Sequence, residues 1–69
     1  MQDHQERVVN ERSELLERLA KLTAFVGGKI YNTLDMAEQA RLIKQVGIMT
    51  LYIEILDARI AAFPRDSGI

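Results

Sequence analysis

The residues best equipped for chemistry sit together near the middle of the chain. Lys29, Tyr31, Asn32 and Thr33 offer a cation, an aromatic plane, an amide and a hydroxyl. They follow Gly27-Gly28 and precede a second helical pattern whose first backbone amides are free. Groups of these types hold a phosphate and stack on a base. Taken alone, the same residues read first as an ordinary polar loop with a tyrosine leaning on the core. Elsewhere there is no Ser/His/Asp or Cys/His arrangement, no glycine-rich phosphate loop and no carboxylate-histidine cluster at metal spacing. Asp35 with Glu38 and Glu54 with Asp57 are paired carboxylates, but helix capping accounts for one pair and a solvated helix surface for the other. The expectation is a binding protein without catalytic residues, metal or cofactor.

Composition narrows what such a protein binds. Nine basic side chains against ten acidic ones leave a net charge of -1, so no global field draws in DNA or RNA, and any bound anion needs a local pocket. The absence of cysteine rules out disulfides and thiolate metal sites, and the single histidine, His4, rules out a centre of several imidazoles. No apolar run approaches the roughly 18 residues that span a bilayer, and no secretion signal is visible, so a soluble, cytoplasmic protein is expected. At 69 residues the chain is one domain. A domain of that size buries only roughly 60% of its unfolded surface and is marginal unless it associates.

Two long helices must position the connector. Asp3 with Glu6 opens the first, expected over about residues 3–26, with Val8, Leu15, Leu19, Leu22 and Val26 along one face. Its polar early turns suggest that the first part is the more exposed. Glu14 to Arg18 and Glu17 to Lys21 are ordered acid first, which supports a solvated helix face by about 0.3 kcal/mol each. Gly27-Gly28 stops the helix, residues 27–34 form the connector, and Asp35 with Glu38 repeats the capping signal, with Thr33 as the competing cap. The second helix is expected over about residues 35–63, and Pro64 begins a polar tail over residues 64–69 that is expected to fray. The fold class is all-α, a helical hairpin.

The second helix has more apolar surface than one partner can cover. Leu42, Val46, Met49, Ile53, Leu56, Ile60 and Phe63 step by four and three along one seam, and Ile48, Leu51, Tyr52 and Ile55 form a second stripe. Residues 45–53 carry no charge. A stripe of this kind in water marks an interface, and closed self-association removes it, so a compact homo-oligomer is expected. Gly47 lies within this zone and costs about 1 kcal/mol against alanine, which suggests either a closely approaching neighbour or a kink. Met36, Met49 and Phe25 are expected in the core, and His4 on the surface of the first turn.

Residues 4–11 (HQERVVNE), Leu15, residues 19–26 (LAKLTAFV), the joint Tyr31-Asn32-Thr33-Leu34-Asp35 and residues 56–63 (LDARIAAF) together resemble the small bacteriophage proteins of the anti-CBASS protein 2 family. The likeness runs from His4 to Phe63. It implies a homohexamer in the cytoplasm of the infected bacterial host that sequesters cyclic dinucleotides, the second messengers of antiphage cyclases, so that the downstream effector is never activated. Such a sponge binds stoichiometrically and is not an enzyme. In the family the pocket lies between subunits, with a first-helix aromatic and a lysine and a threonine around the connector. Lys29 matches the basic residue that meets the phosphates. Tyr31 or Thr33 supplies the neighbouring contact, with Asn32 in the same loop. Arg12 stands where the family has its aromatic, and a guanidinium plane can stack on a purine in its place. For the family's second site, which takes cyclic trinucleotides, the polar candidates are Arg7, Asn10 and Arg65. The rival readings are an oligomeric helical module that docks a protein partner without any small ligand, and a small nucleic-acid-binding regulator.

Overall fold

A computed structural model describes residues 3–64. Among these the fold is helical throughout, with no strand: α1 spans Asp3–Phe25, α2 is a single short turn of helix at Lys29–Thr33, and α3 spans Met36–Ala61. The breaks fall where the local chemistry puts them. Gly27 takes φ 87°, the left-handed conformation that a side chain disfavours, and the Gly28 amide donates to the Phe25 carbonyl at 3.0 Å. Asp35 caps α3, its side chain accepting from the Glu38 amide at 2.8 Å. Thr33 is not the cap; its hydroxyl donates to the Ile30 carbonyl at 2.6 Å. The connector expected over residues 27–34 is therefore largely helical.

α1 and α3 pack side by side, the first half of α1 lying along the second half of α3. Val8 and Leu15 meet Ile53 and Leu56 in the core, with Leu19, Met49, Ile60 and Phe63 packed around them. Leu56 is completely buried. Two polar ties flank this seam on opposite sides. Arg12 Nε donates to Asp57 Oδ1, and the Tyr52 hydroxyl donates to Glu11 Oε2. Consecutive residues of α1 thus grip α3 on both sides of the core and fix the register of the two helices. The hydrogen bond to Glu11, with partial burial and the nearby negative charge, raises the Tyr52 pKa above its ordinary 10.0, while Arg59 opposes the shift.

Two expectations are corrected here. The buried residues of α1 are Gln5, Val8 and Leu15, so its first part is the better covered. That half lies beside the most apolar turns of α3, and its polar residues other than Gln5, Glu11 and Arg12 occupy the outer face. Met36 is not in the core; it is 85% exposed in the first turn of α3. By contrast, the seam residues Leu42, Val46, Met49, Ile53, Leu56, Ile60 and Phe63 are all buried or half-buried, and Ile48, Leu51, Tyr52 and Ile55 all stand exposed.

The chain is a rod of 56 × 15 × 14 Å with a radius of gyration of 16.2 Å. A compact globule of this length would have about 11 Å. Its accessible surface is 5436 Å², whereas about 4,400 Å² is usual for a monomer of this mass. No helix among the described residues is long and apolar enough to cross a membrane.

Candidate functional site

The turn between the long helices is built tightly. Gly27 reverses the chain, and Gly28 caps α2, its carbonyl accepting from the Asn32 amide at 3.1 Å. The Tyr31 carbonyl accepts from the Leu34 amide at 3.1 Å and from Gln39 Nε2 at 3.0 Å, and the same Gln39 nitrogen donates to the Leu34 carbonyl at 3.1 Å. Gln39, half-buried in the second turn of α3, therefore clamps the joint from behind. Satisfied backbone groups give this short segment one conformation rather than many.

The clamp decides which side chains are presented. The Tyr31 ring is only 8% exposed and meets Phe25 edge to face, with ring centroids 6.5 Å apart and planes at 89°. Within one chain it anchors α2 to the end of α1. Lys29, Asn32 and Thr33 remain exposed on the same short turn of helix. Thr33 has spent its hydroxyl hydrogen on Ile30, so its oxygen is left to accept, whereas the ammonium of Lys29 and the amide of Asn32 can still donate to an anion. The turn offers a cation and an amide on a tied-down backbone, with no carboxylate among its own residues.

Arg12 lies elsewhere. Thirteen residues of continuous helix separate it from Phe25, roughly 20 Å at 1.5 Å per residue, and its guanidinium is engaged with Asp57 across the core. A single chain thus brings Lys29, Asn32 and Thr33 together but does not bring Arg12 to them. Arg7 and Asn10 are exposed on the first half of α1, three residues apart and so on one face. Arg65 lies outside the described residues. Among the described residues there is no group of three or more His, Cys, Asp or Glu side chains that could hold a metal ion.

Residues 2–62 match the family model Sequestin. The chain belongs to the Sequestin family. The match covers both long helices and the turn between them, so α1, α2 and α3 form one family unit. A Sequestin is by name a sequestering protein. No curated protein and no solved structure matches the chain.

Gln39, Glu11, Tyr52 and Asp57 are the structural residues that the sequence reading did not single out for these roles. Gln39 had a usable signal: a glutamine four residues after a helix cap can reach back to the carbonyls of the preceding turn. The ties of Arg12 to Asp57 and Glu11 to Tyr52 join residues 45 and 41 positions apart, and local pattern carries no trace of them.

Proposed function

We propose that this chain is a phage anti-defence protein that binds cyclic dinucleotides, and at a second kind of site cyclic trinucleotides, and sequesters them without cleavage, so that CBASS effectors are not activated. It acts as a helical hairpin assembled into a compact homo-oligomer, a hexamer on the resemblance to the anti-CBASS protein 2 family, in the host cytoplasm. The observation that carries the reading is the rigid turn bearing exposed Lys29, Asn32 and Thr33 in a member of the Sequestin family.

A cyclic dinucleotide is a compact dianion with two flat bases. The ammonium of Lys29 answers its phosphates, and Asn32 and Thr33 answer sugar or base edges. A rod of this thickness has no depth in which to enclose such a ligand, and roughly 20 Å of helix separates Arg12 from Phe25, after which the turn begins. The pocket is therefore assigned between copies, the turn of one facing Arg12 of another. Tyr31 contributes by holding the turn against Phe25, and its ring becomes a stacking surface only if assembly draws it outward. The exposed apolar face of α3 is equally required by the rival reading, an oligomeric module that docks a protein and takes no small ligand.

Titration calorimetry with a panel of cyclic mono-, di- and trinucleotides separates the two. The expected result is saturable binding of at least one cyclic dinucleotide, recovery of that ligand intact after heat denaturation, and loss of binding in Lys29→Ala with the oligomer mass unchanged. A chain that assembles but binds nothing in the panel is the docking module instead, and unaltered affinity in Lys29→Ala removes the site.

A further inference from the structure

Arg12 is placed unlike the other cations of α1. Arg7, Arg18 and Lys21 each follow a carboxylate by four residues, Asp3, Glu14 and Glu17 in turn, the spacing of an ion pair on a helix surface. The residues three and four away from Arg12 are Val8, Val9, Leu15 and Leu16, all apolar. Its partner comes instead from α3, where Asp57 Oδ1 accepts from Arg12 Nε. Asp57 also has no cation at helical spacing, its neighbours there being Ile53, Glu54, Ile60 and Ala61. Glu11, the carboxylate next to Arg12 in sequence, is held by the Tyr52 hydroxyl on the other side of the core. Neither member of the Arg12–Asp57 pair therefore has a competing partner on its own helix, and the complete burial of Leu56 fixes where Asp57 stands.

The atom that makes this bond decides what is left over. The N–H of Nε lies in the guanidinium plane, so the carboxylate holds the group by one edge and leaves its faces and the hydrogens on Nη1 and Nη2 unused by the bond. The Arg12 side chain is 34% exposed. Val9, half-buried, and Leu16, 43% exposed, stand three residues before it and four after it on one face, whereas Val8 and Leu15 turn into the core. A plane pinned at its edge, with an aliphatic side chain on either side along the helix, suits a flat ring. It suits a phosphate less, because Asp57 already balances its charge.

We propose that Asp57 is a positioning residue for ligand binding, which locks the Arg12 guanidinium between Val9 and Leu16 so that it stacks on one base of a cyclic dinucleotide. The two cationic side chains then divide the work. Lys29 of a neighbouring copy answers the phosphates, and Arg12 supplies a plane. A loose arginine would lose its rotamer freedom when the base arrives, whereas the tie to Asp57 removes that freedom beforehand.

The inference rests on the ligand reading above, and the test tells the two apart. Arg12→Phe abolishes the tie but keeps a plane that needs none, whereas Asp57→Ala abolishes the same tie and leaves the guanidinium loose. By calorimetry, Asp57→Ala and Arg12→Lys are each expected to weaken cyclic di-AMP by about 5- to 140-fold, the span that one base stack accounts for. The loss should be smaller for cyclic di-UMP, whose rings offer less area. Asp57→Asn, whose carbonyl still accepts from Nε, should recover part of it, and Arg12→Phe should bind nearly as the parent does, all with helical circular dichroism and oligomer mass unchanged. A tie that only fixes the register of α1 against α3 would weaken Asp57→Ala and Arg12→Phe alike, and that result overturns the inference, as does loss of assembly in Asp57→Ala. If the parent binds no cyclic dinucleotide, the ligand reading fails on that result alone, and the plane is judged with adenosine monophosphate by NMR. A shift of the Arg12 Nε resonance in the parent that is missing in Asp57→Ala supports the stacking surface, and no shift in the parent overturns it.

Discussion

Truncating Leu51 and Leu56 separately asks how much of the stability of α3 belongs to the single chain. The two leucines share a helix and a chemistry but not an environment. Leu56 is fully buried against α1, whereas Leu51 is 60% exposed on the opposite side. Removing a buried leucine costs about 2–5 kcal/mol, the transfer of the lost carbons plus the cavity they leave. Leu56→Ala should fall in that range. A domain of this length holds about 3–10 kcal/mol in all, so the variant is expected to lose between about a fifth of its stability and all of it. For Leu51 the single chain predicts much less. Its side chain has less than half its surface covered, full burial of a leucine stabilises by about 1.5–3 kcal/mol, and alanine is the better helix former. In isolation Leu51→Ala should cost no more than about 1 kcal/mol. Covered by another copy of the chain, as the proposed homo-oligomer requires, it should cost as much as Leu56→Ala.

Urea denaturation followed by circular dichroism, repeated over a hundred-fold range of protein concentration, distinguishes these outcomes. An associating chain has a midpoint that rises with concentration, because partner copies bind only the folded state. The expected result is a concentration-dependent midpoint in the parent, and a loss in Leu51→Ala well above about 1 kcal/mol that is itself larger at high concentration. A midpoint independent of concentration, with Leu51→Ala nearly neutral, would refute the claim that the exposed face of α3 is an interface. Leu56→Ala serves as the internal scale, since its loss is local to the α1–α3 core in either case.

Other consequences are smaller and more local. The pKa of Tyr52 is raised above 10.0 by its bond to Glu11. The bond therefore stabilises the fold fully below that pH, and its contribution is lost as the pH climbs through the raised value. Thermal melts from pH 8 to 11 should show the parent falling towards Tyr52→Phe at the alkaline end, and parallel curves would mean that the bond contributes nothing. Asp35→Ala removes the cap on the Glu38 amide and should cost about 1 kcal/mol, or a fall of roughly 4–8 °C in Tm for a domain of this size. An unchanged Tm there would show that Gln39 alone holds the joint.

How far the fold could be read from the sequence depends on the range of the interaction. Gly27-Gly28 and Asp35 marked the helix breaks because left-handed backbone and capping are decided by a residue and its near neighbours. The seven-residue seam from Leu42 to Phe63 was legible because a long helix repeats its signal turn after turn. The short helix at Lys29–Thr33 was not, since five residues cannot display a period. Tyr31 could be read as a plane for a base or as a prop for the core, and only the position of Phe25 against its ring shows which it is within the chain. Met36 was placed in the core by type alone. Its position on the helix puts it on the outer face, where a hydrophobic side chain has work only if another molecule covers it.

The same helical spacing that builds the core constrains the candidate site. α3 is covered by α1 on one side and lies bare on the other, and α2 is clamped to its first turns by Gln39. Whatever packs on the outer face therefore also sets where the Lys29, Asn32 and Thr33 groups of neighbouring chains lie. Under the proposed function, the ligand pocket forms where α1 of one copy meets the turn of another. The exposed stripe of Ile48, Tyr52 and Ile55 is placed to make it. Binding of a cyclic dinucleotide should consequently appear only in the assembled form, and Glu substituted at Ile48 or Ile55 should leave a species of lower mass that no longer binds.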